Sequence, residues 1–400
     1  MSAEYIAPAA DDWLQDALGV LRRLSLSFML LFVVIFVLSS AILLYLVIFI
    51  AASIPRPAQN SEKTYVTILP DGSVSEARQL PCWHDNHLAL KEMARKKQIP
   101  AHEAYQIDSP EVFMSVVVPA YNEEERLSDM LEEAVEFLQA AYPLQNNKYT
   151  NKRLVGNGSA NGHGHTGASS VLGWEILIIS DGSTDKTVET ALSLARSWQV
   201  SRKVAFGEGS IRVISLEKNR GKGGAVTHGM RHARGAYVVF ADADGASKFS
   251  DLASLVKGCQ EIQDKDGRAV GIGSRAHLVG SEAVVKRSFL RNTLMHSFHL
   301  LLRLMTPAAT SKIKDTQCGF KLFSRPALPY IIPYMHSEGW IFDVEMLMLA
   351  ESAGVPMKEV AIGWKEVKGS KLNVIWDSLG MAWGLFVLRA AWATGVYKVD

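Results

Sequence analysis

A repeating pattern of buried strand, polar turn and amphipathic helix decides which class of fold this chain can adopt. Continuous apolar runs at 114–119, 174–180, 211–216 and 237–241 have the length and the composition of strands that are buried on both faces. Apolar residues at helical spacing follow the first three runs. Strands that alternate with helices predict an α/β domain with a mostly parallel sheet flanked by helices.

The fourth predicted strand ends in two closely spaced carboxylates, Asp242 and Asp244. Ligands of open α/β sheets bind beyond the carboxyl ends of the strands. Two carboxylates there are hard oxygen ligands, suited to Mg²⁺ or Mn²⁺ that carries a phosphorylated substrate. The alternative interpretation is an acidic turn whose aspartate caps the next helix.

The second and third predicted strands end in groups that suit a nucleotide. Asp181 precedes Gly182 and can accept hydrogen bonds from a base N–H or a ribose hydroxyl. Asn219, Arg220 and Lys222 lie among glycines and can bring backbone N–H groups and positive charge to a diphosphate. The spacing is neither that of a Walker loop nor that of the dinucleotide fingerprint. A solvated basic loop is the alternative.

An uncharged apolar segment at 24–54 follows an N-terminal tail, residues 1–23. The segment is longer than the roughly 20 residues that cross the hydrocarbon core of a bilayer. It is also longer than the apolar core of a signal peptide, about 7–15 residues. The sequence therefore predicts a single retained transmembrane anchor. Basic residues flank both ends, so the positive-inside rule does not decide the orientation.

The rest of the chain divides around the predicted domain at 111–370. Residues 55–110 are polar and punctuated by proline, and we expect a stalk or linker there. An insertion at about 143–172 is rich in Asn, Gly, Ser and His and is expected to be flexible. The segment 371–400 combines tryptophans with few charges. It predicts either a second crossing or, in preference, an interfacial helix with tryptophans at headgroup level.

Charge and cysteine content narrow the classes of partner and compartment. The formal net charge is +1, so we do not expect a nucleic-acid partner. The three cysteines are far apart and lack metal-ligand spacing. A disulfide framework is therefore not expected, and a reducing compartment is favoured.

Four ordered motifs together resemble the family 2 glycosyltransferases of GT-A fold. They are Val-Val-Val-Pro-Ala-Tyr-Asn-Glu (116–123), Ser-Asp-Gly-Ser-Thr-Asp (180–185), Asn-Arg-Gly-Lys-Gly-Gly-Ala (219–225) and Ala-Asp-Ala-Asp-Gly-Ala (241–246). Within that family the chain resembles the polyprenyl-phosphate glycosyltransferases. Two further stretches, 315–323 and 340–345, are most similar to the dolichyl-phosphate β-glucosyltransferases. The resemblance covers roughly residues 111–370.

The resemblance implies an enzyme that transfers glucose from UDP-glucose to dolichyl phosphate with inversion. The product is dolichyl β-D-glucosyl phosphate, a lumenal glucose donor for assembly of the N-glycan precursor. It also implies Mg²⁺ or Mn²⁺, the endoplasmic reticulum membrane, and a catalytic domain that faces the cytosol. The alternatives are a dolichyl-phosphate mannosyltransferase that uses GDP-mannose, a processive polysaccharide synthase and a non-enzymatic scaffold. The synthase is disfavoured because its Gln-x-x-Arg-Trp motif is absent.

The resemblance also implies roles for individual residues. The donor-binding set is Pro119, Tyr121, Glu123, Asp181, Asn219, Lys222 and Asp242. Asp242 and Asp244 would engage the metal and the diphosphate, and Asp244 and Asp315 are the candidate catalytic residues. Asp315 matches a family acid near the acceptor and is a candidate base. A lipid phosphate is already ionised near neutral pH, with a second pKa of about 6, so Asp315 has the alternative role of orienting the acceptor.

An anionic acceptor requires cations. We expect Arg275, Arg287 and Arg291 to bind the acceptor phosphate. Arg287 and Arg291 are four residues apart on a predicted basic amphipathic helix, which suits a membrane surface. The alternative is an ordinary domain helix. We also expect the stretch from Trp340 to Glu345, which includes Asp343, to contribute to the site, with helix capping as the alternative for its acids.

Overall fold

The structure is a computed structural model of the 400-residue chain. It describes residues 26–52, 54–143, 172–198, 210–278, 297, 300–367 and 374–398. The described residues fall into two compact units. The larger lies within Ser53–Arg389, and the smaller within Met1–Ala52 and Ala390–Lys398.

A seven-stranded mixed sheet forms the centre of the larger unit. Two short antiparallel strands, β1 (Thr64–Tyr65) and β2 (Arg78–Gln79), precede it in the chain. The strands of the sheet are β3 (Val112–Ala120), β4 (Trp174–Ser180), β5 (Ile211–Ser215), β6 (Gly235–Ala241), β7 (Val270–Ser274), β8 (Phe320–Ser324) and β9 (Met357–Ala361). Their order is β5-β4-β3-β6-β8-β7-β9, and β8 alone runs antiparallel to its neighbours. The predicted α/β fold with a mostly parallel sheet is confirmed.

Eight labelled helices accompany these strands in the described part of the chain. They are α1 (Leu26–Ala51), α2 (Trp83–Arg95), α3 (Leu127–Ala141), α4 (Thr187–Arg196), α5 (Lys222–His232), α6 (Leu252–Ile262), α7 (Phe342–Ser352) and α8 (Val374–Ala393). The spacing of apolar residues explains the packing of α3. Leu127, Leu131, Val135 and Leu138 recur every three or four residues, and all four are buried against the core.

The strands β3, β4 and β6 are parallel and in register, so their carboxyl ends lie at the same edge of the sheet. Every residue of β4 and β6 is buried, which is why these strands appear in the sequence as continuous apolar runs. Ala120 at the end of β3 pairs with Ser180 at the end of β4, and Val117 pairs with Phe240 of β6. The residues that follow these strands therefore emerge at one edge of the sheet.

Residues 54–110 belong to the larger unit and pack against its sheet and helices, which differs from the stalk expected at 55–110. Val66 exchanges two backbone hydrogen bonds with Val213 of β5, at 3.0 and 2.9 Å. The indole Nε1 of Trp83 donates a hydrogen bond to the carbonyl of Met230, at 2.8 Å. Short bridges and single aromatic anchors hold this segment, and neither has the periodicity from which a sequence pattern could be recognised.

The helix α1 has the length and the composition of a membrane crossing. It contains 26 uncharged residues, and its most apolar window has a mean hydropathy of 3.0. At 1.5 Å per residue it is about 39 Å long, enough to cross a bilayer core. Among the described residues it is the one helix that meets these criteria. It is consistent with the anchor predicted at 24–54. The predicted tail, and the predicted insertion from residue 144 to residue 171, lie outside the described residues.

Candidate active site

A cavity of about 420 Å³ opens at the carboxyl edge of β3, β4 and β6. Its wall includes every residue of the predicted donor-binding set and the predicted metal pair: Pro119, Tyr121, Glu123, Asp181, Asn219, Lys222, Asp242 and Asp244. The other lining residues are Ala120, Arg126, Gly221, Ala225, Ala243, Gly339 and Trp340. Five separate segments of sequence therefore meet at one concave surface.

Asp242 and Asp244 follow β6 directly. The backbone N–H of Asp242 donates to the carbonyl of Gly319, at 3.1 Å. A Cβ on Gly319 would lie 2.0 Å from Asp242 Oδ2, so only glycine allows this approach. Asp244 Oδ1 accepts a hydrogen bond from the N–H of Ala246, at 3.0 Å. Burial and the neighbouring charge of Asp242 raise the pKa of Asp244. Both carboxylates line the cavity, and their negative charges repel each other. Such a pair of oxygen ligands fits a divalent cation.

Lys222, the first residue of α5, supplies positive charge to the same wall. Its Nζ lies 2.5 Å from Asp242 Oδ1 and 5.8 Å from the centre of the Trp340 ring. Burial opposes ionisation of this ammonium group, but the charges of Asp242 and Asp343 outweigh burial and raise the pKa of Lys222. Lys222 is therefore a cation inside the cavity.

The loops after β3 and β4 are held together by hydrogen bonds between polar side chains and backbone. Asn122 Oδ1 accepts from the N–H of Thr184 at 2.8 Å, and the N–H of Glu123 donates to Thr187 Oγ1 at 2.8 Å. Asn122 has a φ of 53°, a conformation that asparagine tolerates better than most residues. Arg126 donates to both carboxylate oxygens of Glu123, at 2.8 and 2.6 Å. These contacts explain why the two motifs are rich in Asn, Ser, Thr and acids.

Asp181 lies at the buried end of the cavity. Its Oδ1 accepts a hydrogen bond from the N–H of Arg220 at 2.7 Å, and Asn219 Nδ2 donates to its carbonyl at 3.1 Å. Burial raises the pKa of Asp181 to about 6. Gly182 has a φ of +67°, and a Cβ there would lie 2.6 Å from the backbone nitrogen of Asn219. The turn therefore requires glycine.

Arg220 does not direct its guanidinium into the cavity, contrary to its expected role on a diphosphate. Its Nε donates to Glu338 Oε1 at 2.7 Å, and its Nη2 donates to the carbonyl of Arg56 at 2.8 Å. The side chain is buried, and Arg220 is absent from the residues that line the cavity. Its charge is used to bind the segment that carries Gly339 and Trp340.

Asp315 and Arg275 form an ion pair outside the cavity lining. Arg275 Nε and Nη2 donate to the two carboxylate oxygens of Asp315, at 2.8 and 2.9 Å, and the N–H of Arg275 donates a third bond at 2.8 Å. Burial opposes ionisation of Asp315, but Arg275 outweighs it and lowers the pKa of Asp315. Asp315 is therefore an ionised carboxylate whose two oxygens are both bound by Arg275. The predicted acceptor-binding residues Arg287 and Arg291 lie outside the described residues.

The stretch 340–345 divides into one cavity residue and two buried acids. Trp340 lines the cavity rim with 40% of its surface exposed. Asp343 is buried in an ion pair with Lys321, which is itself fully buried. Glu345 is also fully buried, and its Oε2 accepts hydrogen bonds from the N–H groups of His336 and Ser337, at 3.0 and 2.7 Å. Glu345 thus supports the loop before Trp340, and Asp343 ties the start of α7 to β8.

Sequence reasoning assigned no role to Arg126, Gly319 or Glu338. Arg126 lines the cavity 4.0 Å from Asp244 Oδ2. Gly319 lies within the stretch 315–323 that carries the resemblance, which was the one available signal for it. Glu338 gives no local signal, because its partner Arg220 is 118 residues away.

Comparison with known proteins identifies a family. The family model of glycosyl transferase family 2 matches residues 168–329. A dolichyl-phosphate beta-glucosyltransferase of Saccharomyces cerevisiae is 38% identical over 361 residues, which is 89% of this chain and 91% of the relative. The Drosophila melanogaster protein of the same name is 41% identical over 295 residues, with 73% and 79% covered. The Homo sapiens protein of that name is 35% identical over 328 residues, with 81% and 89% covered.

A solved structure with partial similarity is glucosyl-3-phosphoglycerate synthase from Mycobacterium tuberculosis, in complex with Mn²⁺ and uridine-diphosphate-glucose. It has a TM-score of 0.44 and 16% sequence identity, and the match covers 70% of this chain and 79% of that one. The assignment of the family depends on the sequence relatives, which match most of their own length. By that identity and coverage, this chain belongs to the dolichyl-phosphate β-glucosyltransferases of glycosyltransferase family 2.

Proposed function

We propose that this protein transfers glucose from UDP-glucose to dolichyl phosphate with inversion, giving dolichyl β-D-glucosyl phosphate. Membership of the dolichyl-phosphate β-glucosyltransferases supports the reaction and the acceptor. The observation that carries the proposal is the cavity at the carboxyl edge of the sheet. It combines a buried acid, a lysine at a helix N-terminus and a pair of carboxylates, the groups that a nucleotide diphosphate sugar requires.

The donor is proposed to lie along this cavity from Asp181 to the carboxylate pair. Asp181, ionised above about pH 6, accepts a hydrogen bond from the base or the ribose. Asp242 and Asp244 would hold Mg²⁺ or Mn²⁺, which would supply positive charge to the departing nucleoside diphosphate. Lys222 contributes a further cation to the diphosphate. Trp340 covers the rim where the glucose would project.

The reaction is a single displacement at the anomeric carbon of glucose. A phosphate oxygen of the lipid attacks this carbon, the bond to UDP breaks, and its electron pair stays on the β-phosphate oxygen. The acceptor oxygen is already ionised, because such phosphates have a second pKa of about 6. No side chain needs to remove a proton, so catalysis consists of positioning and of charge stabilisation.

Arg275 is proposed to bind the acceptor phosphate, together with Arg287 and Arg291, and Asp315 to position Arg275. Asp315 lies just before Gly319, which packs against Asp242, and Arg275 follows β7. The Arg275 side chain is one-third exposed, and its guanidinium has a further nitrogen, Nη1, besides the Nε and Nη2 that bind the carboxylate. The acceptor site would thus lie beside the metal pair.

We further propose that α8 contacts the bilayer through an apolar face formed by Trp376, Leu379, Trp383 and Phe386. These residues recur at intervals of three and four, and their exposures range from 43% to 72%. Tryptophans on one face of a helix suit the headgroup region of a membrane. The ideal Cβ position of Gly384 lies 3.3 Å from Ile341, the neighbour of Trp340, so α8 also packs close to the cavity rim.

The compartment is proposed to be the endoplasmic reticulum membrane, with α1 as the anchor and the catalytic domain on the cytosolic side. The apolar length of α1 supports the anchor. The cysteines Cys82, Cys259 and Cys318 are all unpaired, which suits a domain in a reducing compartment.

The test is transfer of radiolabelled sugar to dolichyl phosphate by the full-length protein in detergent. UDP-glucose and GDP-mannose are compared, with and without EDTA, in the native protein and in Asp242→Asn and Asp244→Asn variants. We expect glucose transfer that is abolished by EDTA, is restored by Mg²⁺ or Mn²⁺ and is lost in both variants. Asp129→Asn changes an exposed acid of α3 and is the matched control. Mannose transfer would assign a different donor, and transfer from neither nucleotide sugar would contradict the proposal.

A further inference from the structure

The carboxylate of Asp242 is already bound to a cation of the protein itself. Lys222 Nζ lies 2.5 Å from its Oδ1, and both side chains are largely withdrawn from solvent, with exposures of 17% and 32%. Gly319 packs directly against the same carboxylate, since a Cβ there would lie 2.0 and 2.4 Å from its two oxygens. Lys222 and Asp242 both line the cavity, so the ammonium group occupies a position at Oδ1 that a bound metal would need.

Asp244, the second proposed metal ligand, has no comparable cation at contact distance among the described residues. Arg126 Nη1 is 4.0 Å from Asp244 Oδ2, and the same guanidinium is bound through two hydrogen bonds to Glu123. The two proposed ligands are thus unequal, because Asp242 is directly paired and Asp244 is not.

A metal ion and Lys222 cannot share Asp242 without strong repulsion. Divalent magnesium binds carboxylate oxygens at about 2.1 Å, so an ion on Oδ1 would lie less than about 5 Å from an ammonium group in its present position. Like charges at that distance repel strongly where solvent screening is reduced. A metal that arrives alone and binds Oδ1 must therefore displace Lys222 from its partner.

The cavity offers Lys222 a second partner once a diphosphate is bound. Lys222 begins α5, and Gly221, Lys222 and Ala225 at this helix N-terminus all line the cavity. Helix N-termini favour phosphate groups, so the diphosphate and the lysine would meet in the same part of the cavity. The flexible lysine side chain can exchange a carboxylate for a phosphate oxygen by rotation about its own bonds.

We propose that Lys222 is a built-in competitor of the metal, which neutralises Asp242 in the empty enzyme and moves to the diphosphate when the nucleotide sugar binds. This inference rests on the proposed function, since it requires a metal at Asp242 and Asp244. The exchange keeps the charge of Asp242 neutralised before the donor arrives and makes the metal bind together with the donor. By thermodynamic linkage, the nucleotide and the metal then raise each other's affinity by the same factor.

The test is binding of Mn²⁺ to the full-length protein in detergent, followed by electron paramagnetic resonance with and without UDP. Lys222→Met removes the competitor, and we expect it to bind Mn²⁺ alone about tenfold more tightly than the native protein. UDP should then raise the Mn²⁺ affinity of this variant by a smaller factor than in the native protein. Lys222→Arg keeps a cation and should retain weak binding of Mn²⁺ alone. Lys218→Met, an exposed lysine of the same loop, is the matched control.

Unchanged or weaker binding of Mn²⁺ alone by folded Lys222→Met would overturn the inference. Lys222→Gln provides the same measurement if thermal unfolding shows that the methionine variant does not fold. Asp242→Asn and Asp244→Asn separate this result from failure of the proposed function. If those variants bind Mn²⁺ as the native protein does, the metal site itself is contradicted. If they lose Mn²⁺ while Lys222→Met leaves it unchanged, only the competitor role is contradicted.

Discussion

Arg275 binds Asp315 through both carboxylate oxygens, with Nε and Nη2 at 2.8 and 2.9 Å. A planar guanidinium and a carboxylate in this arrangement fix each other's orientation. Because Arg275 outweighs burial and lowers the pKa of Asp315, the acid stays ionised through the neutral range. Its geometry suits the positioning of Arg275 better than proton transfer.

If Asp315 acts through Arg275, Asp315→Asn should raise the KM for dolichyl phosphate and leave the KM for UDP-glucose nearly unchanged. We expect kcat/KM for the lipid to fall at least about tenfold, as is typical when one partner of a buried charged pair is removed. The double variant Asp315→Asn/Arg275→Met should be little worse than either single variant, because both remove one interaction. Steady-state kinetics with each substrate varied provides the measurement.

The control for that pair is Asp264→Asn, which removes a partner of Arg268 in an ion pair of 2.8 Å within a surface turn. It should leave both KM values unchanged. A loss confined to kcat in Asp315→Asn, with a pH profile that loses an acidic limb, would instead identify Asp315 as a general base.

UDP affinity should fall as the pH drops below about 6, because burial raises the pKa of Asp181 to about 6 and its protonated form cannot accept the same hydrogen bond. The decrease approaches about tenfold per pH unit below that value. The stability of the nucleotide-free protein depends on pH in the opposite direction from the UDP affinity. Protonation of Asp181 stabilises the fold fully below its ordinary value of 3.8, and this contribution is lost as the pH rises through about 6.

Calorimetric titration of UDP at several pH values measures the binding effect. Asp181→Asn should bind UDP more weakly at neutral pH and show a flatter dependence on pH. An affinity for UDP that is constant or rises toward acid pH would show that ionised Asp181 is not the form that binds.

Gly319→Ala should abolish glucose transfer, because its Cβ would lie 2.0 Å from Asp242 Oδ2 and must displace that carboxylate. Mn²⁺ binding in the presence of UDP should weaken in parallel. Gly380→Ala is the matched control, since a Cβ at that helical position meets nothing within 4 Å. Transfer at the native rate by Gly319→Ala would mean that the position of Asp242 is not critical.

Spin labels should distinguish the apolar face of α8 from other exposed apolar positions. A label at Trp383→Cys in nanodiscs should be more accessible to oxygen than to a water-soluble nickel complex, as expected within a bilayer interface. Leu88→Cys on α2 is the matched control, because Leu88 is also an exposed apolar residue, at 48%, but lies outside α8. Equal accessibility at the two positions would contradict bilayer contact by α8.

Removing one member of the buried Lys321–Asp343 pair should destabilise the fold. Both side chains are almost fully buried, so Asp343→Asn leaves the ammonium of Lys321 without its counter-charge. We expect a loss of about 3–5 kcal/mol in the free energy of unfolding, measured by denaturant titration in detergent. The double variant Lys321→Met/Asp343→Leu should recover most of that loss. A single variant as stable as the native protein would show that water or another group satisfies the lysine.

The local sequence pattern determined the parallel strands, two of the site residues and the apolar N-terminal helix of this protein. The parallel strands β3 to β6 were predicted within about two residues of their bounds, because strands buried on both faces leave unbroken apolar runs. Asp181 and Asp242 were recognised as site residues because each directly follows such a strand. The apolar length of α1 likewise needs no tertiary information.

Tertiary structure alone decided the relationships between distant segments. The contact of Gly319 with Asp242, the pairing of Arg275 with Asp315 and the binding of Arg220 by Glu338 join residues that are 40 to 118 positions apart. The packing of residues 54–110 and the antiparallel insertion of β8 between β6 and β7 also depend on contacts between segments that are distant in the sequence. A sequence records which side chains are available and which local backbone they favour. Which of them meet depends on the order of strands in the sheet, and no local periodicity encodes that order.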